Sequence, residues 1–290
     1  MYKNSFSIQN KEPEEMKENE TASITVLPEG YISETLSITS PRDACRAAAI
    51  SKGFNSAADS DIIWERFLPP DYNVIIARAV SPLIFGSKKQ LYFMLSDSHI
   101  LLDSGYLSFR LDKESGKKTY MLGARELSIA WQDDTRYWEW GHVPEFGPQT
   151  RFQEVCILKK VCWLEIRGKI KAAMLSPKST YVAYLVFQLT RNSRGLSLPA
   201  LTMVSIGGIT NETENVYLQK PSRRSRLWRI RLDGDYSFPY RRKDGWMEME
   251  LGEFYNDEGD EGEVEMAYEE IRFGNWKNGL ILEGIELRPK

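Results

Sequence analysis

The chain has 290 residues, 42% hydrophobic and 12% aromatic, with a formal net charge of -3. That apolar content supplies a sizeable core in one or two domains and excludes a wholly disordered protein, while the near-neutral balance gives no general attraction for nucleic acid. Cys45, Cys156 and Cys162 show no C-x-x-C spacing, which excludes a disulfide framework and a zinc ribbon, and His99 and His142 are too isolated for a metal site.

Residues 1–22 include NKEPEEMKENE, with too little apolar surface to offset the entropy of ordering, and read as a disordered tail. No apolar run approaches the roughly 20 residues that span a bilayer, and the first residues lack the apolar core of a secretion signal. The expected compartment is therefore the cytosol or nucleus, where the N-x-T triplets at Asn19 and Asn211 would escape glycosylation.

From 23 to 70 the helix punctuation is legible. Ser40, Pro41 and Asp43 occupy N-cap, first-turn and N3 positions, and Gly53 reads as the left-handed end of that helix. Ser56 and Asp59 repeat the start signal for a helix carrying Ile62, Ile63 and Phe67, which stops at Pro69 and Pro70. Leu27, Pro28, Ile32, Leu36 and Ile38 form a further short apolar element, so the expectation is a small three-helix module. Some forty residues cannot bury much of their own apolar surface, so another protein or the rest of the chain must cover part of it.

These residues resemble an F-box: the Leu27-Pro28 opening, the Ser40-Pro41-Arg42-Asp43 helix start and the Ile63-Trp64 pair fall in its order. The resemblance implies docking onto a Skp-type adaptor and cullin scaffold of a ubiquitin ligase, with Leu27, Pro28, Ile32, Leu36 and Pro41 as contacts. Helical apolar stripes are more often core, so the same residues also read as a face packed on the C-terminal body.

Residues 71–120 read as a connector, apolar from Tyr72 to Phe85 but broken by Pro82, followed by a hairpin in which Leu107, Phe109 and Leu111 alternate and DKESG turns at Gly116. From 121 to 290 the pattern is β. Cys162, Leu164 and Ile166 alternate with polar partners, and the run Tyr181 to Leu189 predicts a central strand covered on both faces. Met247, Met249 and Leu251 alternate with Glu248 and Glu250, and a last strand covers Leu280 to Leu287. Many short strands with little helix predict an all-β, jelly-roll-like antiparallel sandwich. The basic run Arg223, Arg224, Arg226, Arg229 and Arg231 reads as a solvated loop and strand edge.

This body resembles the phloem protein 2, or Nictaba-type, lectin domain through ARELSIAW, YWEW, VCWLEIRGKI, TYVAYLVFQLT, DGWMEMELGEF, GEVEM and WKNGLILEGIELRPK. With the F-box, the whole looks like a plant F-box protein of the phloem protein 2-B type. The lectin resemblance implies binding of N-acetylglucosamine oligomers or N-glycan cores, with stacking tryptophans at Trp131 and Trp138 and acids at Glu263 and Glu270. It implies no cofactor, no metal and no catalytic residue. An indole packs on the C–H face of a pyranose, and a carboxylate accepts from hydroxyl or amide groups.

The residues themselves leave alternatives open. Trp131, Trp138 and Trp140 equally suit a sandwich core, while Trp163, Trp246 and Trp276 read as packing. Glu263 and Glu270 have opposite parity, so only a bulge or loop between them brings both to one face. Glu248 with Glu250, or Glu263 with Glu265, lie about 7 Å apart along a strand, a spacing open to an inverting glycosidase, but alternate exposed glutamates are commonplace. The runner-up to sugar recognition is a lectin-like domain that reads a protein surface, reshaped by Gly141 to Glu154 beside Trp138.

Overall fold

The computed structural model describes residues 28–143, 147–221, 236–257 and 262–290. The expected tail, Leu27 and the arginine run at 223–231 lie outside them. Among the described residues, the N-terminal region folds as four short helices where three were expected: α1 (Glu29–Ser37), α2 (Pro41–Ala47), α3 (Lys52–Ala58) and α4 (Asp61–Phe67). Ser40 caps α2 as expected, accepting from the Asp43 N–H at 3.1 Å. The division between α2 and α3 comes from Ser51, whose hydroxyl accepts from the Phe54 N–H at 3.3 Å and restarts the chain one residue before the expected stop. Gly53 thus lies in the first turn of α3, and Ser60, not Ser56, caps α4. Ser56 instead donates to Glu29 at 2.6 Å, tying α3 to α1.

The connector holds two more helices, α5 (Tyr72–Ala77) and α6 (Lys88–Asp97). The start of α6 is written in Ser87-x-x-Gln90: Ser87 accepts from the Gln90 N–H at 3.1 Å while Gln90 accepts from the Gly86 N–H at 2.7 Å. Its Leu91, Tyr92 and Leu95 are buried, and Tyr92 lies 5.2 Å from the sealed Trp64 ring.

Two antiparallel sheets follow. Nine strands form the larger: β1 (Ile100–Leu102), β2 (Leu107–Leu111), β3 (Lys118–Gly123), β14 (Asn278–Pro289), β8 (Ser179–Arg194), β12 (Met247–Asn256) and β11 (Tyr240–Arg241) in that order, with β6 (Val155–Leu158) also on β14 and β5 (Trp138–Gly141) on β6. Five form the smaller, in the order β10 (Ile209–Val216), β9 (Ala200–Ile206), β13 (Glu263–Glu270), β7 (Leu164–Lys171), β4 (Ser128–Ile129). The sandwich architecture is as expected, and β8 is central, between β14 and β12. Gly284 allows β14 to approach β3, since a Cβ there would sit 2.0 Å from the Leu122 carbonyl oxygen.

One hydrophobic core runs from Ile32 and Trp64 through Phe109 and Tyr120 to Ile166, Tyr181 and Ile285. The hairpin β2–β3 joins helices to sandwich: Lys118 pairs with Asp71 at 2.7 Å, and a Cβ on Gly116 would meet the Phe67 carbonyl at 3.0 Å.

The outer face of the nine-stranded sheet is covered as well. The chain from Gly147 to Phe152 crosses it, Phe152 and Trp246 packing with Met121, Val186 and Ile281 in a second small core. The indole N–H of Trp246 donates to the Gln149 carbonyl at 3.1 Å. Beneath, Glu286 accepts from Arg151 and Arg242, each at 2.6 Å. Of the segment expected to reshape the surroundings of Trp138, residues 144–146 lie outside the described residues, and Gly147 to Phe152 lies over this other face.

Candidate functional site

After β4 the chain enters an eight-residue loop, Ala130 to Tyr137, at one end of the smaller sheet. Trp131 is at its tip with φ +60°, a left-handed conformation strained for a bulky residue, and is 47% exposed. Two indoles hold it there. Trp138 donates its ring N–H to the Ala130 carbonyl at 2.9 Å, and Trp140 donates to the Gln132 carbonyl at 3.3 Å. The carbonyls on either side of Trp131 are thus pinned by the two tryptophans of YWEW.

The loop closes on itself through the Asp134 N–H, which donates to the Trp131 carbonyl at 3.0 Å, and the Trp138 N–H, which donates to the Asp134 carbonyl at 3.1 Å. Arg136 forks onto the Asp134 carboxylate, at 2.6 Å for the shorter arm. Those side-chain hydrogen bonds, with one from the Arg136 backbone, hold the Asp134 carboxyl down at about 2. Tyr137 tilts beside Trp131 with ring centroids 5.5 Å apart. An open cleft of about 770 Å³ lies against Trp131, Gln132, Asp133, Thr135 and Arg136; the Gln132 side-chain oxygen is buried behind it, with no hydrogen-bond partner among the described residues.

The four residues expected at the sugar site are not brought together. Trp131 is open. Trp138 is 1% exposed, so its ring face is unavailable and only its N–H serves the site. β13 pairs with β7 in unbroken register from Glu263 to Glu270, so the bulge their opposite parity required is absent. Seven residues separate these acids, about 24 Å along an antiparallel strand. Glu263 lies exposed at the end remote from Trp131, 3.7 Å from Lys169. Glu270 is at the near end, but it faces inward in a sealed ion pair with Lys277, whose ammonium burial pushes down to about 8.

Other readings shift too. Trp246 is packing, as expected, whereas Trp163 and Trp276 are exposed at 42% and 59%. Trp163 donates to Glu165 at 2.8 Å. Of the carboxylate pairs at glycosidase spacing, Glu248 is engaged by Arg242 at 3.3 Å and Arg288 at 3.0 Å, and Glu263 and Glu265 share Lys169.

In the helical module, Ile32 and Leu36 are buried against α3 and α4, and Pro41 is buried at the start of α2; of the expected contacts described, Pro28 alone is exposed. Their i, i+4 spacing marks the inner face of α1. The exposed apolar residues are others: Tyr31 on the opposite face of α1, Ile38 just past its end, Ile50 and Ile62.

A small helical module continuous with a two-sheet sandwich, whose edge loop presents one indole, defines the class, and the Phloem protein 2 family profile matches residues 117–289. F-box protein At2g02240 of Arabidopsis thaliana is 44% identical over 271 residues, 93% of this chain and 81% of its own length. F-box protein PP2-B10 of the same plant is 42% identical over 274 residues, 93% of this chain and 96% of its own. A family 35 carbohydrate binding module from Clostridium thermocellum aligns over 58% of this chain and 96% of its own at 9% identity and a TM-score of 0.32, a likeness that carries no argument about ligand. The chain belongs to the phloem protein 2 family, among the F-box proteins of its PP2-B group.

Proposed function

We propose that the chain recruits clients to a Skp–cullin–F-box ubiquitin ligase, binding N-acetylglucosamine-containing glycans through the Trp131 loop and a Skp-type adaptor through the exposed residues of its N-terminal helices. The observation that carries the sugar reading is Trp131 itself: an indole held open in a strained backbone by two dedicated hydrogen bonds. Strain of this kind persists only where its surroundings enforce it, and it clusters at ligand sites. The indole stacks on a pyranose face, Asp133 accepts from acetamido N–H and hydroxyl groups, and Thr135 supplies a hydroxyl. Trp138 serves as a positioning residue, and Glu263 and Glu270 take no part.

On the helical side, Pro28, Tyr31, Ile38, Ile50 and Ile62 take the adaptor contact, while Ile32, Leu36 and Pro41 build the module beneath. The chain contributes proximity and no bond-making step: a tether of two sites raises the local concentration of client lysines. Localisation to cytosol or nucleus accords with this, and no helix among the described residues is long and apolar enough to cross a membrane.

Titration of chitotriose onto the full chain by calorimetry tests the sugar reading. Trp131→Ala weakens binding at least tenfold, about 1.4 kcal/mol, with an unchanged unfolding midpoint because the ring is half out of the core. Trp138→Phe keeps the packing but frees the Ala130 carbonyl and weakens binding as well, whereas Glu263→Gln leaves it unchanged. Equal affinity for the parent chain and Trp131→Ala contradicts the assignment.

A further inference from the structure

The helical module, the connector and the β2–β3 hairpin enclose a cavity of about 400 Å³ where they meet. From α2 come Pro41, Arg42, Cys45 and Arg46, whose i, i+3 and i+4 spacing sets them on one face of that helix. Tyr92 and Phe93 of α6 supply an aromatic wall, and Lys113 and Glu114 of the hairpin turn close the rim. None of these residues belongs to the proposed adaptor contact or to the Trp131 loop.

The walls are fixed by the chain's own contacts. The Tyr92 hydroxyl lies 3.4 and 3.3 Å from the Asp112 and Lys113 carbonyls, and the Asp112 carboxylate accepts from the Ser115 N–H at 2.8 Å, which sets the turn. Phe93 is braced edge-on by Tyr92, with ring centroids 5.9 Å apart, and by Trp64 at 5.3 Å. The rim is cationic and loosely engaged. Arg42 reaches Glu114 at 3.4 Å and Arg46 reaches Asp43 at 3.6 Å, single long contacts that leave most of each guanidinium's N–H donors without an acceptor among the described residues. Lys113 pairs with Asp97 at 2.6 Å and stands 5.8 Å from the centre of the Phe93 ring. Every partner in these three pairs is more than half exposed, and surface pairs of this kind contribute so little that an incoming anion displaces them readily. The cavity has the volume of a small-molecule site and the lining of one, apolar with a few convergent polar groups.

We propose that this cavity binds a small planar aromatic carboxylate. The ring lies along Phe93 and Tyr92 with Pro41 and Cys45 on its other side, and the carboxylate takes the open forks of Arg42 and Arg46, with Lys113 adding a third positive charge. A saturated acid forfeits the aromatic wall and a neutral arene forfeits the cations, so the class follows from the two features together. Glu114 gives up Arg42 to the ligand and stays in solvent, its side chain 74% exposed. The ligand touches α2, α6 and the hairpin at once, so it stabilises the joint between the helices and the sandwich by mass action.

Calorimetric titration of naphthalene-2-carboxylate into the full chain tests it, with the exposed Cys45 thiol reporting the place of binding. The expected result is saturable binding that weakens about fivefold in Arg42→Gln and about fivefold in Arg46→Gln, the loss of one charge-assisted contact each. It weakens about tenfold for naphthalene-2-carboxamide and again for decahydronaphthalene-2-carboxylate, which keeps the acid and loses the flat ring, and Trp131→Ala leaves it unchanged. Saturating ligand slows alkylation of Cys45 by iodoacetamide in the parent chain, read on the Cys45 peptide by mass spectrometry, a measurement that needs no variant. Arg42 and Arg46 are exposed, so their substitution leaves the unfolding midpoint in place. No binding at millimolar ligand, equal binding of the carboxamide or of the saturated acid, unchanged affinity in both arginine variants, or an alkylation rate at Cys45 that saturating ligand does not alter would each overturn the proposal.

Discussion

At the residue scale, burial decides what each polar or aromatic group can do. Glu283, on β14 beneath the covering segment, accepts from the Arg151 N–H at 2.9 Å with one oxygen and leaves the other without a partner among the described residues. Burial pushes its carboxyl up to about 7. Because the unfolded chain ionises this group more readily, the folded state is favoured below the ordinary glutamate value near 4.5 and loses that advantage as pH rises to about 7. Glu283→Gln keeps the acceptor and removes the titration, so it stabilises the chain by about 2–3 kcal/mol at pH 8 and by little at pH 4.5; denaturant titrations of both chains at the two pH values measure this. Its neighbour Glu286 goes the other way: burial pushes the carboxyl up, but Arg151, Arg242 and Arg288 overcome that and hold it at about 2. Trp131 and Trp138 make the same point. Both were legible as site candidates, but parity along a strand says which residues share a face, not which face is dry, so the sealing of Trp138 and the hydrogen-bonding role of its N–H could not be read from YWEW.

At the element scale, helix starts were legible where a serine hydroxyl meets an N–H two or three residues on, and misread where two serines competed. Ser56 and Ser60 both stand ahead of the helix that carries Ile62, Ile63 and Phe67. Ser51 caps α3 and Ser60 caps α4, while Ser56 lies inside α3 with its hydroxyl drawn off by Glu29. The same helices separate support from contact. Leu36→Ala opens a cavity beneath α1 and costs about 2–4 kcal/mol of stability. Ile38→Asp alters an exposed side chain, leaves the unfolding midpoint within about a degree, and removes adaptor binding. Thermal melts read alongside adaptor co-purification separate the two effects, and loss of stability in Ile38→Asp with adaptor binding retained contradicts this division. On β13, the sequence warned that Glu263 and Glu270 oppose each other, and the regular register with β7 keeps them so.

At the scale of the whole molecule, the sandwich was legible because its strands alternate cleanly and its central run, Tyr181 to Leu189, is apolar on both sides. Less legible was how far the helices share its core. Trp64, Tyr92 and Phe109 belong to one apolar body with Tyr181 and Ile285, and β3 carries the predicted hairpin straight into the larger sheet. Such long-range packing leaves no local periodicity to read. A continuous core also fixes how the two proposed binding regions stand with respect to each other, which suits a bridge better than a flexible tether. The most direct measurement of that bridge uses beads bearing N-acetylglucosamine oligomers and a purified Skp-type adaptor. The account predicts that the adaptor stays on the beads only with the full chain present, and is lost with Trp131→Ala and, separately, with Ile38→Asp while that variant itself stays bound. Adaptor retained by Trp131→Ala, or a parent chain that does not hold to the beads, would contradict it.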